Sequence, residues 1–325
     1  MIPFAYSRAD TTADAVRAVS ADPDAAFIAG GTNLVDHMRL EIATPRTLVD
    51  VSRLPLGDVI DTADGGVAIG ASVRNSDLAE HPAVRSRYPA LSTALLSGAS
   101  GQLRNLATTG GNLLQRTRCP YFHDPTTPCN KREPGTGCSA LGGYARDAAI
   151  FAATPDCVAT HPSDMAVALA LYGGVVQVLG AAGDREIPLN EFYANEDPSH
   201  DTVLAHGELI TGVRLPPPTG APSTYRKVRD RESYAFALVS VAASLRVDGG
   251  HVADVRIACG GVAHKPWRAA RAEEALRGAP ASAASYEAAA DAELAAADPL
   301  PGNEFKRRLL RGTLTAVLSE LSEEQ

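Results

Sequence analysis

Two glycine loops constrain this chain more than any other feature. Ala29-Gly30-Gly31-Thr32-Asn33-Leu34 directly follows an apolar run, Ala25 to Ala29, that reads as a buried strand. Thr108-Thr109-Gly110-Gly111-Asn112-Leu113 repeats the same chemistry far along the chain. Paired glycines carry no Cβ, so backbone N–H groups can approach an anion closely, and Thr and Asn add side-chain donors. One such loop reads equally as a plain turn. Two suit a ligand with a pyrophosphate and a ribityl chain to hold. Neither loop is G-x-G-x-x-G or G-x-x-x-x-G-K-[ST], so neither a Rossmann nor a P-loop site is supported.

The elements around the loops describe a mixed fold. Residues 11–20 read as a short helix with a Thr cap, 46–52 and 66–71 as strands, and 162–171 as a helix capped by Ser163 with Asp164 in its first turn. Residues 174–179 read as a strand. Pro216-Pro217-Pro218-Thr219-Gly220 is the clearest linker. Beyond it, 236–247 and 252–258 read as strands of a hairpin turning at Asp248-Gly249-Gly250. Residues 267–277 and 283–297 read as helices. Residues 303–321 form an amphipathic helix with Phe305, Leu309, Leu310, Leu314, Val317 and Leu318 on one side. A chain of 325 residues exceeds one ordinary core, which predicts two domains.

Charge and hydropathy exclude several classes. A formal net charge of -8 without a basic stripe argues against nucleic-acid binding. No apolar run is long enough to cross a bilayer. The first residues lack the basic and apolar regions of a secretory signal, which predicts no independent export.

Of the 5 cysteines, Cys119, Cys129, Cys138 and Cys157 share one Pro-, Gly- and Thr-rich segment, 116–161. A loop that long needs something to order it. Four thiolates on an iron–sulfur cluster would do so. Structural zinc usually takes two close C-x2-4-C pairs, and no short pair is present. Disulfides fit poorly with an unexported chain. Four unlinked buried thiols remain the bland alternative, and spacing alone does not decide between cluster and thiols. Cys259 reads as a buried hydrophobe, and His123 and His161 as structural residues.

The two loops belong to a longer pattern: HPSDMAVAL at 161–169, GELITGVRLP at 207–216, YRKVRDRESYAFALVSVA at 225–242 and CGGVAHKPWRA at 259–269. In this order they resemble the FAD-binding subunit of the molybdenum hydroxylases, the family of xanthine dehydrogenase, carbon monoxide dehydrogenase and aldehyde oxidoreductases. RCPYF, CNKREPGTGC and CVATHPSDMA further resemble the flavin subunit of bacterial periplasmic aldehyde oxidoreductases, which carry an additional [4Fe-4S] cluster. The resemblance implies an α+β chain. Residues 1–217 would form a two-lobed FAD-binding domain of the PCMH/vanillyl-alcohol-oxidase-like kind, with lobe one 1–55, lobe two 56–217 and the [4Fe-4S] loop 116–161. Residues 221–325 would form a C-terminal α+β domain of the CO dehydrogenase flavoprotein type.

The resemblance also implies roles. Ala26, Phe27, Ile28, Ala29, Gly30, Gly31, Thr32, Asn33 and Leu34 would wrap the FAD pyrophosphate. Thr108, Gly111 and Asn112 would hold the phosphate and ribityl region. Asp164 would accept hydrogen bonds from the cofactor, and Ile210 and Lys227 would lie near the isoalloxazine, where a cation stabilises reduced flavin. Cys119, Cys129, Cys138 and Cys157 would ligate the cluster. The implied partners are a molybdenum-cofactor catalytic subunit, a [2Fe-2S] subunit and a terminal electron acceptor. The implied location is the periplasm, by co-export with a partner, or the cytoplasm. No residue here would perform the aldehyde chemistry. Two other readings stand beside this one: a stand-alone flavin oxidase with a structural zinc loop, which lacks a convincing acid or base, and a non-enzymatic assembly subunit, which predicts a colourless protein.

Overall fold

The structure is a computed structural model that describes residues 1–194 and 197–325. The Thr11 hydroxyl accepts a hydrogen bond from the Asp14 N–H and starts the helix Thr12–Ser20, whose Ala15, Val16 and Val19 are buried. That helix covers a small parallel sheet of β1 (Ala5–Arg8), β2 (Ala25–Ile28) and β3 (Thr47–Asp50), ordered β1-β3-β2. The first glycine loop leaves the end of β2 and enters the short helix Leu34–Arg39.

The second sheet is antiparallel: β4 (Val59–Asp61), β5 (Val67–Gly70), β6 (Val175–Gly180), β7 (Gly183–Pro188) and β8 (Leu209–Leu215), ordered β4-β5-β8-β6-β7. Its apolar side chains join those of the helices Asn75–Glu80, Pro89–Ser97 and Asp164–Tyr172 in one core, with Leu78, Leu91, Met165, Leu169 and Val213 fully buried. Between β5 and β6 lie both the second glycine loop and the cysteine segment.

The third sheet, after the proline linker, is β9 (Ser223–Val228), β10 (Val239–Asp248), β11 (His251–Gly260) and β12 (Trp267–Arg268), ordered β12-β11-β10-β9 and antiparallel. The hairpin turns on Gly249 and Gly250, which both have positive φ (54° and 77°), as a two-residue connection between Asp248 and His251 requires. Every residue from Val239 to Leu245 is buried, so β10 is covered on both faces. One face carries the helices Ala270–Leu276, Ala283–Leu294 and Phe305–Glu323, and the other lies against the helices Pro89–Ser97 and Asp164–Tyr172. On the last helix Leu310, Leu314, Val317 and Leu318 are buried, while Phe305 and Leu309 sit at the margin. β10 begins at Val239 rather than 236, because Tyr234 takes a left-handed conformation (φ 52°) and the chain loops there. Among the described residues no helix is long and apolar enough to cross a membrane.

The cysteine segment is a loop with only the one-turn helix Pro120–His123 and the 3-10 turn Ser139–Leu141. Polar side chains hold it. Asn130 Oδ1 accepts from the N–H groups of Gly135 and Gly137 at 3.1 and 2.8 Å. Arg132 donates to the carbonyls of Tyr121 and Phe122. Arg116 and Lys131 both pair with Asp201, each at 2.5 Å. On the far side, buried Lys306 donates to the carbonyls of Ala148 and Gly261, tying the loop's end to the C-terminal sheet. Phe151 stacks on Trp267 with ring centroids 4.8 Å apart.

Candidate functional site

A cavity of about 610 Å3 opens where the first lobe, the second lobe and the C-terminal sheet meet. That volume lies within the usual range for cofactor and small-molecule sites, about 300–1,000 Å3. Thr32 and Asn33 of the first loop line it, as do Gly111 and Asn112 of the second, with Asp164, Lys227, Arg118 and the aromatics Tyr234 and Phe236.

The two loops use their backbones differently. In the first, the N–H groups of Gly30, Gly31, Thr32 and Asn33 donate to no described residue, and Gly31 is left-handed (φ 71°). Consecutive free N–H groups around a left-handed residue form an anion-binding nest. Gly30 has a second reason to be glycine: a Cβ there would lie 2.0 Å from the Leu106 carbonyl oxygen, so the first loop packs on the approach to the second. Residues 26–34 are all half-exposed, an open run from strand to helix. The second loop differs from the expected phosphate cradle. Residues Thr109–Leu113 wind into a short helix with Thr108 as its cap. The N–H groups of Thr109 and Gly110 go to the carbonyls of Val73 and Ala71, and that of Gly111 goes to the Thr108 hydroxyl. What this loop offers a ligand is side chains, chiefly Asn112, whose Oδ1 already accepts from Ser163 and Gln115.

Ser163 links that loop to the third element, because its hydroxyl also caps the helix Asp164–Tyr172 by accepting from the Ala166 N–H. Asp164 is buried in the first turn, where the helix dipole favours its charge. Lys227 Nζ lies 2.7 Å from Asp164 Oδ2, and the Tyr225 hydroxyl donates to Oδ1. Tyr225 and Lys227 are two apart on β9 and therefore share a face. Burial, then the Asp164 charge, pushes the Tyr225 hydroxyl well above its ordinary range, so it stays a donor. Lys227 Nζ and Arg229 also donate to the Ser97 carbonyl at the end of the helix Pro89–Ser97. The ion pair thus bridges the second lobe and the C-terminal sheet across the cavity wall.

Ile210 does not line the cavity. It is buried in the second core, where its Cβ would lie 3.7 Å from a Cβ on Gly110. Thr108 is also buried and acts as a cap. Of the residues expected to touch a cofactor, the structure gathers Thr32, Asn33, Gly111, Asn112, Asp164 and Lys227 on one cavity, with Ala26 to Gly31 and Leu34 leading into it.

Beside this cavity, Cys119, Cys129, Cys138 and Cys157 line one small cleft. Cys129 and Cys138 face each other across an isolated antiparallel bridge. All four are free thiols. Burial pushes the Cys119 and Cys157 thiols up, with Lys131 partly opposing it at Cys157. Cys119 lines the larger cavity as well, so the two spaces share a wall. Among the described residues, no group of three or more His, Cys, Asp or Glu side chains is gathered tightly enough to hold a single metal ion.

Residues 2–218 match the family profile described as "FAD binding domain in molybdopterin dehydrogenase", and residues 223–321 match the "CO dehydrogenase flavoprotein C-terminal domain". The chain is 52% identical over 323 residues to the aldehyde oxidoreductase FAD-binding subunit PaoB of Escherichia coli, covering 98% of each. It is 27% identical to the carbon monoxide dehydrogenase medium chain of Hydrogenophaga pseudoflava, over 92% of this chain and 89% of that one. Its fold follows a chain of reconstituted CO dehydrogenase from Oligotropha carboxidovorans, with a TM-score of 0.79 and 23% identity over 100% of both. The chain belongs to the FAD-binding subunits of the molybdenum hydroxylases.

As such a flavin subunit it carries a site the glycine motifs only half describe. Sequence reasoning missed Arg118, Tyr225 and the aromatic pair Tyr234 and Phe236. Tyr225 lies inside a matched stretch but reads as an ordinary strand residue. Tyr234 and Phe236 are large, apolar and exposed at a cavity mouth, 57% and 48%. Arg118 lies over the Phe236 ring and Arg231 over the Tyr234 ring, so aromatic and cationic groups meet at the cavity together.

Proposed function

We propose that this flavin subunit holds FAD in the 610 Å3 cavity and a [4Fe-4S] cluster in the cysteine cleft, as the electron-transfer subunit of a molybdenum-dependent aldehyde oxidoreductase. When bound, the two groups supply redox chemistry that links [2Fe-2S] clusters of a partner subunit to a terminal acceptor. The nest of four free N–H groups at Gly30–Asn33, whose Thr32 and Asn33 line the cavity, is the observation that carries the FAD placement. Asn112 and the Asp164–Lys227 pair then orient the remainder, with Lys227 as the buried cation. The aldehyde reading rests on the similarity to the aldehyde oxidoreductase subunit.

The cleft suits a cluster by the chemistry of its donors. Four thiols converge there with no disulfide among them. Burial raises the Cys119 and Cys157 thiols, so a bound cation is what would favour their thiolates there. A single zinc with Zn–S bonds of about 2.3 Å needs its sulfurs about 4 Å apart, and among the described residues no group of three or more ligands is gathered to hold one ion. A cubane places each thiolate on its own iron and tolerates wider spacing.

Metal and flavin analysis with an absorption spectrum of the purified chain tests this reading. About one FAD and about four irons per chain are expected for one cubane. Flavin with one zinc and no iron would return the stand-alone oxidase. A colourless chain that cannot take up FAD would refute both.

A further inference from the structure

Arg118 lines the cavity with one of its guanidinium donors left unanswered. Its Nη2 donates to Asn33 Oδ1 of the first glycine loop at 3.0 Å, and its guanidinium lies 4.9 Å from the Phe236 ring centroid. Its Nε is buried and has no partner. A buried N–H of a guanidinium left without an acceptor costs stability unless something supplies one. The arginine borders the cavity together with Thr32 and Asn33 of the first glycine loop. An arginine fork matches phosphate oxygens in both charge and geometry.

Arg118 is also the residue before Cys119, which lines both the cavity and the cysteine cleft. Whatever orders Cys119 therefore fixes the backbone from which Arg118 reaches Asn33. A ligand at one site and a ligand at the other would each favour the same loop conformation, which is a coupling between their affinities.

We propose that Arg118 is a ligand of the FAD pyrophosphate that completes the Gly30–Asn33 nest, and that ordering of the cysteine loop through Cys119 sets it in place. The proposal rests on the FAD placement above, and uptake of FAD by the unaltered chain tests that placement separately.

The experiment titrates the full chain, stripped of flavin, with FAD and with riboflavin, which has the same ring but no phosphate. R118M is expected to weaken FAD binding at least tenfold, to change riboflavin binding no more than twofold, and to leave the thermal midpoint of the stripped chain in place. R118K is expected to recover part of the FAD affinity. C119S is expected to lower iron content and weaken FAD by a similar factor, and R118M added to C119S to cost little more. Unchanged FAD binding in R118M overturns the phosphate contact. So does an equal loss for FAD and riboflavin, which would make the arginine a packing residue. Fully multiplicative losses in the double variant overturn the coupling to Cys119.

Discussion

Replacing Lys227 with methionine isolates the contribution of the pair that joins the second lobe to the C-terminal sheet. The pair is buried, with 3% of the lysine side chain and 9% of the aspartate side chain exposed, and the charged atoms are 2.7 Å apart. At an effective dielectric constant of about 20 their gross attraction is about 6 kcal/mol. Much of that offsets desolvation, so the pair adds little net stability over an apolar one. Removing one partner is different, because Asp164 stays buried with only the Tyr225 hydroxyl and the helix N-terminus to answer it. Breaking a buried pair in this way costs about 3–5 kcal/mol. For 325 residues the unfolding entropy is about 0.7 kcal/mol per degree, so the midpoint should fall by about 4–7 °C. Thermal denaturation of the flavin-free chain followed by circular dichroism measures it. D164N/K227M removes both charges and should recover at least half of the loss. A K227M midpoint within a degree of the parent, or a double variant that loses the sum of the singles, would refute the argument.

Other consequences follow from the same structure. Burial pushes His37, His161 and His264 down to about 4, while in the unfolded chain they titrate near about 6.5. The unfolded state therefore binds more protons between those values, and stability falls as pH drops through that window, by up to about 1.4 kcal/mol per unit for each histidine. Urea midpoints should decline from pH 6.5 toward 4.5, less steeply in H161Q, and a flat profile would count against it. G30A sets a Cβ 2.0 Å from the Leu106 carbonyl, so it should cost about 1–3 kcal/mol and weaken FAD binding measured by flavin fluorescence; full retention of both would show that the loops are not in contact. D201N leaves Arg116 and Lys131 facing a neutral amide, so it should destabilise by about 3 kcal/mol and lower iron content. Unchanged iron would show that the cysteine loop holds without that anchor.

Local rules made much of this fold legible. The Thr11 and Ser163 hydroxyls cap helices where the sequence places them, because a cap bond spans three residues and needs no tertiary partner. The Gly249-Gly250 hairpin follows from the positive φ both residues adopt. The apolar stripe of the last helix fixes which side it buries. Family resemblance carried the domain order. Both glycine loops stand out as unusual in the sequence, yet it could not say which one keeps its N–H groups free. That depends on Val73 and Ala71 meeting the second loop. Asp164 and Lys227 are 63 residues apart and look like a helix-cap acid and a surface lysine until two domains bury them together. Arg118 is legible only as the neighbour of a cysteine, and Ile210, expected at the flavin, faces the core instead. Hydrogen bonds within a turn are settled by residues a few positions apart. The worth of a charge or an unpaired donor is settled by what excludes water from it, and only the packed structure decides that.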